Sequence, residues 1–175
     1  MLDGIEIRLV LLEERHLDDV MKGWNNPEMR EFLGGFIPQT REAELEWIKR
    51  SQEQMKNRQS YIFVIERKKD QSFIGTVALH DIDWLSRTSV LGIAIHDPKN
   101  WDMGFGTEAM KLLIGFGWRH LNLRRIELSV HDFNERAKHV YEKVGFKEFG
   151  LAHQKYFING KYVDTHYMEL FRSDE

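Results

Sequence analysis

The sequence predicts one mixed α/β domain, a mostly antiparallel central sheet flanked by helices. Three observations carry that expectation. Alternating or β-branched apolar stretches recur over 5–12, 60–67, 73–82, 88–96, 125–131, 146–157 and 161–171. Segments with helical spacing separate them. The 175 residues suit one core rather than two small ones, with no repeat, low-complexity tract or linker, so 1–175 reads as a single domain.

Each element follows from local chemistry. Ile5–Leu12 alternates as a strand. Leu17, Val20, Met21 and Trp24 then fall at helical spacing, and Asn25-Asn26-Pro27 stops that helix. A short helical piece over 27–32 leads to a Gly34-Gly35 loop. Thr40 caps a charged helix over about 41–57 with an inner stripe of Leu45, Trp47, Ile48 and Met55. Three strands joined by short turns follow, which implies an antiparallel meander. Gly104–His120 is helical and apolar nearly all round, so it is expected to be deeply covered. A strand at 125–131 and a helix at 134–144 come next. The last two strands are joined by Asn159-Gly160, a hairpin signal because both positions accept positive φ.

Composition narrows the function classes. Hydrophobic residues make up 42%, charged residues 30%, and the formal net charge is -3 without a basic block. A general nucleic-acid binder would show a basic face, so nucleic acid is not an expected partner. The absence of cysteine excludes disulfides, cysteine nucleophiles and thiolate metal sites. No apolar run reaches the roughly 18 residues of a membrane helix. An acid near the start, where a signal peptide carries positive charge, makes a cytoplasmic, membrane-free protein the expectation.

Two segments carry chemistry. In Trp101-Asp102-Met103-Gly104-Phe105-Gly106-Thr107-Glu108 the chain turns from a strand into a helix. Glycines there let backbone approach a ligand, and the first free N–H groups of a helix favour phosphate. A tight turn with close helix packing is the ordinary alternative. A Walker loop would need Lys-Ser/Thr after its last glycine, and a dinucleotide fingerprint a third glycine; both are missing. In the second segment, 134–146, Ala137, Val140 and Val144 form a packing stripe, and Asn134, Lys138 and Tyr141 a polar-tipped one. Spacing alone makes Tyr141 a packing residue. Gly145 ends the helix.

Together the two segments resemble the GNAT acetyltransferase superfamily, most closely its ribosomal-protein and polyamine N-acetyltransferase-like branch. Trp101–Ala109 is similar to the family's pyrophosphate loop, and Asn134–Phe146 to its Asn-x-x-(Ser/Ala)-x-x-x-Tyr-x-x-x-Gly-Phe block. Trp24-Asn25-Asn26-Pro27 and Ile158-Asn159-Gly160-Lys161-Tyr162-x-Asp164 match the same branch. The resemblance covers almost the whole chain. It departs at Asp102, where glycine is usual, and at Val90-Leu91-Gly92, where some relatives carry a glutamate that acts as a base through water.

The resemblance implies a sheet splayed between the fourth and fifth predicted strands, 88–96 and 125–131, with acetyl-CoA as co-substrate and no metal. The pantetheine arm would lie against Ile93, Ala94 and Ile95. Met103, Gly104, Phe105, Gly106 and Thr107 would hold the diphosphate, Trp101, Asn134 and Lys138 would contact the cofactor, and Arg136 and Lys143 would join Lys138 near its 3′-phosphate. Tyr141 would serve as general acid, since a phenol with pKa near 10 can protonate a departing thiolate. The base is open among His80, Asp81, Asp83, His96 and His131, each of which has an ordinary surface or hydrogen-bonded role as its alternative. The implied acceptor is a primary amine: a protein N-terminal α-amine, or a small amine such as spermidine. Glu28, Glu31 and Glu42/Glu44/Glu46 are acids that would attract a polyamine, unless they are only solvated helix faces. A homodimer stays open, and two non-catalytic classes compete: a CoA-binding sensor and a plain interaction domain.

Overall fold

The computed structural model describes residues 2–173. Among them, eight strands form one sheet in the order β1-β2-β3-β4-β5-β6-β8-β7. The strands are β1 (Leu2–Asp3), β2 (Ile7–Leu11), β3 (Tyr61–Arg67), β4 (Phe73–Asp83), β5 (Thr88–Ile95), β6 (Arg125–His131), β7 (Lys147–Ile158) and β8 (Lys161–Phe171). The helices are α1 (Leu17–Trp24), α2 (Pro27–Glu31), α3 (Arg41–Lys56), α4 (Phe105–His120) and α5 (Glu135–Val144). Every neighbouring pair runs antiparallel except β5 and β6. The meander is β3-β4-β5.

Several details differ from expectation for local reasons. The first strand has a two-residue partner, β1, too short to leave a periodic signal. The helix expected around Leu17, Val20, Met21 and Trp24 is preceded by a 3-10 turn at Glu14–His16. The stripe of α3 runs through Glu44, Ile48 and Ser51, with Leu45 and Trp47 half-buried beside it, so the helix sits about one position from the predicted face. Last, β8 lies between β6 and β7, because the final hairpin folds back to pair over Arg125–His131.

Two cores result, one on each sheet face. Leu79, Leu91, Met110, Leu113, Ile126 and Met168 anchor the larger, beneath α4 and α5. Val20, Ile48, Ile62, Val64 and Ala78 form the smaller, beneath α1 and α3. The covering expected for α4 is present: Phe105, Ala109, Met110, Leu113, Ile114 and Gly117 are buried. Its Glu108 carboxylate accepts from the backbone amides of Ile5 and Glu6, which ties the N-terminal turn to the helix. Among the described residues, no helix is long and apolar enough to cross a membrane.

Candidate active site

Strand β5 has unequal edges. One pairs with β4 in continuous register from Val90 to Ile95, whereas the other meets β6 only over Thr88–Val90. The His96 amide donates to the Ile74 carbonyl at 3.0 Å, so alternation directs the backbone groups of Ala94 and Gly92 toward β4. Those of Leu91, Ile93 and Ile95 face the gap. There the Ile95 carbonyl accepts the Trp101 indole N–H at 3.0 Å. The amides of Ile93 and Ile95 are left bordering a cleft of about 520 Å³. Of the expected trio, Ala94 lines the cleft while its backbone serves the sheet.

At one end of the cleft, α4 begins. Gly104 caps it with φ 83°, and the first intrahelical bond is Glu108 N–H to the Gly104 carbonyl at 3.0 Å. The N–H groups of Phe105, Gly106 and Thr107 therefore have no intrahelical acceptor and carry the positive end of the dipole. A Cβ on Gly106 would meet nothing closer than the Ile93 side chain at 3.7 Å, so the glycine keeps this approach open. Asp102 has φ 59°, a left-handed conformation that glycine adopts without steric cost. Its carboxylate lies 3.9 Å from the Arg136 guanidinium, and that guanidinium stacks 3.9 Å from the Trp101 ring centre.

Of the expected diphosphate set, Gly104, Phe105, Gly106 and Thr107 line the cleft, as does Trp101. Met103 is 57% exposed and stands outside the lining.

Helix α5 supplies the other wall. Asn134 is its N-cap, accepting from the Ala137 amide at 3.2 Å, and Gly145 closes it with φ 114°. Ala137, Val140, Tyr141 and Val144 pack against the larger core. Asn134 and Tyr141 both line the cleft. Lys138 does not share their outlook: its ammonium lies 2.9 Å from Glu148 and 3.4 Å from His166 Nδ1, on the β7–β8 side. Helical spacing groups Lys138 with Tyr141, but an ion pair to the next strand draws it away. Arg136 takes its place in the lining.

Burial pushes the Tyr141 phenol up to about 12, well above the value near 10 assumed from sequence. Tyr141 therefore stays protonated across the physiological range, with its O–H available to donate.

The histidines separate by environment. His96 is buried against Gly23, Trp24 and Phe73, and desolvation lowers it to about 4. It lies outside the cleft and is a core residue. His80 and His131 both line the cleft, each lowered chiefly by desolvation. Asp81 and Asp83 lie outside the lining, and Asp83 accepts from the amides of Leu85 and Ser86. Phe32 and Tyr156 complete the aromatic rim. They come from a loop and a bulged strand that give no periodic signal.

The acetyltransferase (GNAT) domain model matches residues 6–147. The chain belongs to the GNAT acetyltransferase family. Spermidine N(1)-acetyltransferase of Vibrio cholerae is 33% identical over 111 residues, 63% of this chain and 63% of that protein, so the chain spans less than two thirds of that relative's length. A Bacillus subtilis chain, YdaF, provisionally named a ribosomal N-acetyltransferase, is 30% identical over 60% of this chain and 57% of its own. The crystal structure of spermidine N-acetyltransferase from Vibrio cholerae in complex with CoA and spermine superposes with TM-score 0.85 at 27% identity, covering 95% of both chains. The GNAT frame accounts for the branch-specific segments too. Asn26 caps α2, and Asn25 clamps the backbone of Gln39, donating at 3.1 Å and accepting at 2.8 Å. Asp164 holds the β7 bulge by accepting from the Gln154 amide at 2.7 Å.

Proposed function

We propose that this GNAT domain transfers the acetyl group of acetyl-CoA to a primary amine by direct attack. The observation that carries the reading is one cleft bordered by the unpaired edge of β5, the free amides of Phe105–Thr107 and the Tyr141 phenol. The donor set suits acetyl-CoA: amides and a helix N-terminus for the diphosphate, a strand edge for the amide-bearing arm, and apolar walls for the acyl end. When bound, acetyl-CoA supplies a thioester carbonyl and a thiol leaving group. The chain's own part is positional and electrostatic. Amides on β5 stabilise negative charge on the carbonyl oxygen, and Tyr141 donates toward the sulfur position. With a phenol held near 12, this donation is a hydrogen bond first and a proton transfer only as charge builds on sulfur.

The acceptor enters from the α2 side, past Met29, Phe32 and His80. Among the described residues, the cleft's one carboxylate is Asp102, beside Arg136. A lining with so little negative charge favours an acceptor with a single amine, such as a protein N-terminal α-amine, and offers a polycation only Asp102, already beside Arg136, as counter-charge. The names of the spermidine N-acetyltransferase relatives favour a polyamine as the second reading. Thiol release with acetyl-CoA and a panel of peptide α-amines, monoamines and spermidine separates them. Peptide or monoamine turnover above that of spermidine supports the first reading and the reverse supports the second. Binding of acetyl-CoA without thiol release from any amine would leave a CoA sensor instead.

A further inference from the structure

The acetyl-transfer reading still needs a group to take the proton that an incoming ammonium must lose. We infer that His80 is that catalytic base and that the polar cavity behind it is the proton's route to water. The inference rests on the acetyl-transfer reading above. Its geometry does not depend on the acceptor's identity.

His80 sits opposite Val90, at the point where β5 and β6 stop pairing. It is the fork of the splay, the place where an acceptor entering past α2 meets the open edge of β5. The ring leans along the sheet over Gly92: a Cβ built there would stand 3.3 Å from His80 Nε2. A Cβ at 92 would make the imidazole give by a few tenths of an ångström, so the glycine leaves the ring its position at the fork. His80 also lines a second, polar cavity of about 400 Å³ with Arg58, Ser60, Gln54 and Asp81. The imidazole thus stands between an apolar-walled cleft and a hydrophilic vestibule. Neither other ring has this placement. His96 is sealed beneath α1, and His131 lies in the cleft between Phe133 and Tyr156, outside the vestibule.

The charged groups facing His80 are few. Asp81, adjacent on β4, and Arg58, from the turn after α3, both lie on the vestibule side. Val90 and Gly92 of β5 carry no charge, and the cleft presents the Tyr141 and Tyr156 phenols, His131, and the Asp102 carboxylate beside Arg136. Desolvation lowers His80 and Asp81 raises it, with desolvation the larger effect. The ring is therefore neutral, with a lone pair available, at neutral pH. In the step, the amine nitrogen bonds to the acetyl carbon and the carbon–sulfur bond breaks. The ammonium gives one proton to His80 before attack and the nitrogen sheds a second as the amide forms, both passing by way of His80 to vestibule water; the sulfur leaves as a thiol by way of Tyr141, which recovers one proton from solvent. The sum is one amide, one thiol and one released proton. A base below its ordinary pKa matches best an α-amine, whose own value of about 7.7–8.0 lies about two and a half units below that of a lysine-like amine.

The test is the pH profile of kcat/KM for a peptide α-amine in the full chain, with acetyl-CoA affinity measured by calorimetry. His80→Gln is expected to lose at least about tenfold in kcat/KM at pH 7, within the range of general-base effects, with acetyl-CoA affinity within about twofold of the parent. The deficit shrinks toward pH 9 as the free amine becomes abundant. His131→Gln keeps the acidic limb that His80→Gln loses. Gly92→Ala, whose Cβ crowds Nε2, keeps the parent's melting temperature and loses about threefold or more, which reports the role even if His80→Gln folds poorly. His80→Gln within about twofold of the parent at every pH, or transfer of the lost limb to His131→Gln, overturns the role while leaving acetyl transfer intact. A parent with no turnover on any amine overturns both.

Discussion

The two edges of β5 are made from the same eight residues and do opposite work. Against β4, the even-numbered backbone groups close a continuous ladder, and Gly75 lets Ala94 approach so closely that a Cβ would lie 2.0 Å from its carbonyl oxygen. Against β6, pairing stops after Val90, and the odd-numbered amides stay free beside the α4 N-terminus. Buried amides are rarely left unpaired. An open edge in mid-sheet is a place prepared for a ligand with amides of its own, and the ladder on the other side keeps it rigid.

Substituting a glycine on each side breaks this comparison with the largest effect. Gly75→Ala drives a methyl into the closed ladder, and we expect a loss of about 1–3 kcal/mol or more in chemical denaturation, with acetyl-CoA affinity following stability. Gly106→Ala meets only ordinary contacts, 3.7 Å and beyond, so its melting temperature stays near the parent's while acetyl-CoA binding weakens. Equal destabilisation of both would show that the edges do not differ as described. Tyr141→Phe comes next: turnover falls at least about tenfold, some 1.4 kcal/mol, while acetyl-CoA affinity barely changes. Unchanged steady-state turnover would remove the phenol from the chemistry.

Smaller effects sharpen the picture. His96, on β5's closed side, is held neutral by burial at about 4, below the 6.5 of an unfolded chain. Between those values the unfolded state binds the extra proton. The stability His96 contributes is therefore complete above about pH 6.5 and is lost as pH falls toward 4. Thermal melts of the parent should decline over that window more steeply than those of His96→Asn; matching slopes would deny the effect. Least of all, Asp102→Gly relieves a φ of 59° and removes a carboxylate near the phosphate end. Acetyl-CoA affinity should rise a few-fold, on the order of 1 kcal/mol or less, by calorimetry. A weaker complex would mean that Asp102 serves the site through Arg136.

Much of this was legible in the residues. Alternation located seven strands, and the Gly104-x-Gly106 turn and the Asn134–Phe146 block fall on the two walls of one cleft. What stayed hidden depends on contacts between segments far apart in sequence. Nothing local says that β8 slips between β6 and β7, since register is written in the pairing of residue 125 with 171. Helical spacing joins Lys138 to Tyr141, and only Glu148, ten residues on, separates them. His80 and His96 lie on the same face of the sheet and look alike in sequence. Trp24 and Gly23 close over one, while Gly92 opens a path for the other. Phe32 and Tyr156 reach the rim from a loop and a bulge, where periodicity carries no information.

The central claim is that the open edge of β5 and the α4 amides receive the acyl donor. Residue-resolved amide exchange, with and without acetyl-CoA, tests it most directly. Added ligand should slow exchange at Ile93, Ile95, Gly106 and Thr107 and leave Gly92 and Ala94, already bonded to β4, nearly unchanged. Protection elsewhere, with these four amides exchanging as fast as before, would contradict it.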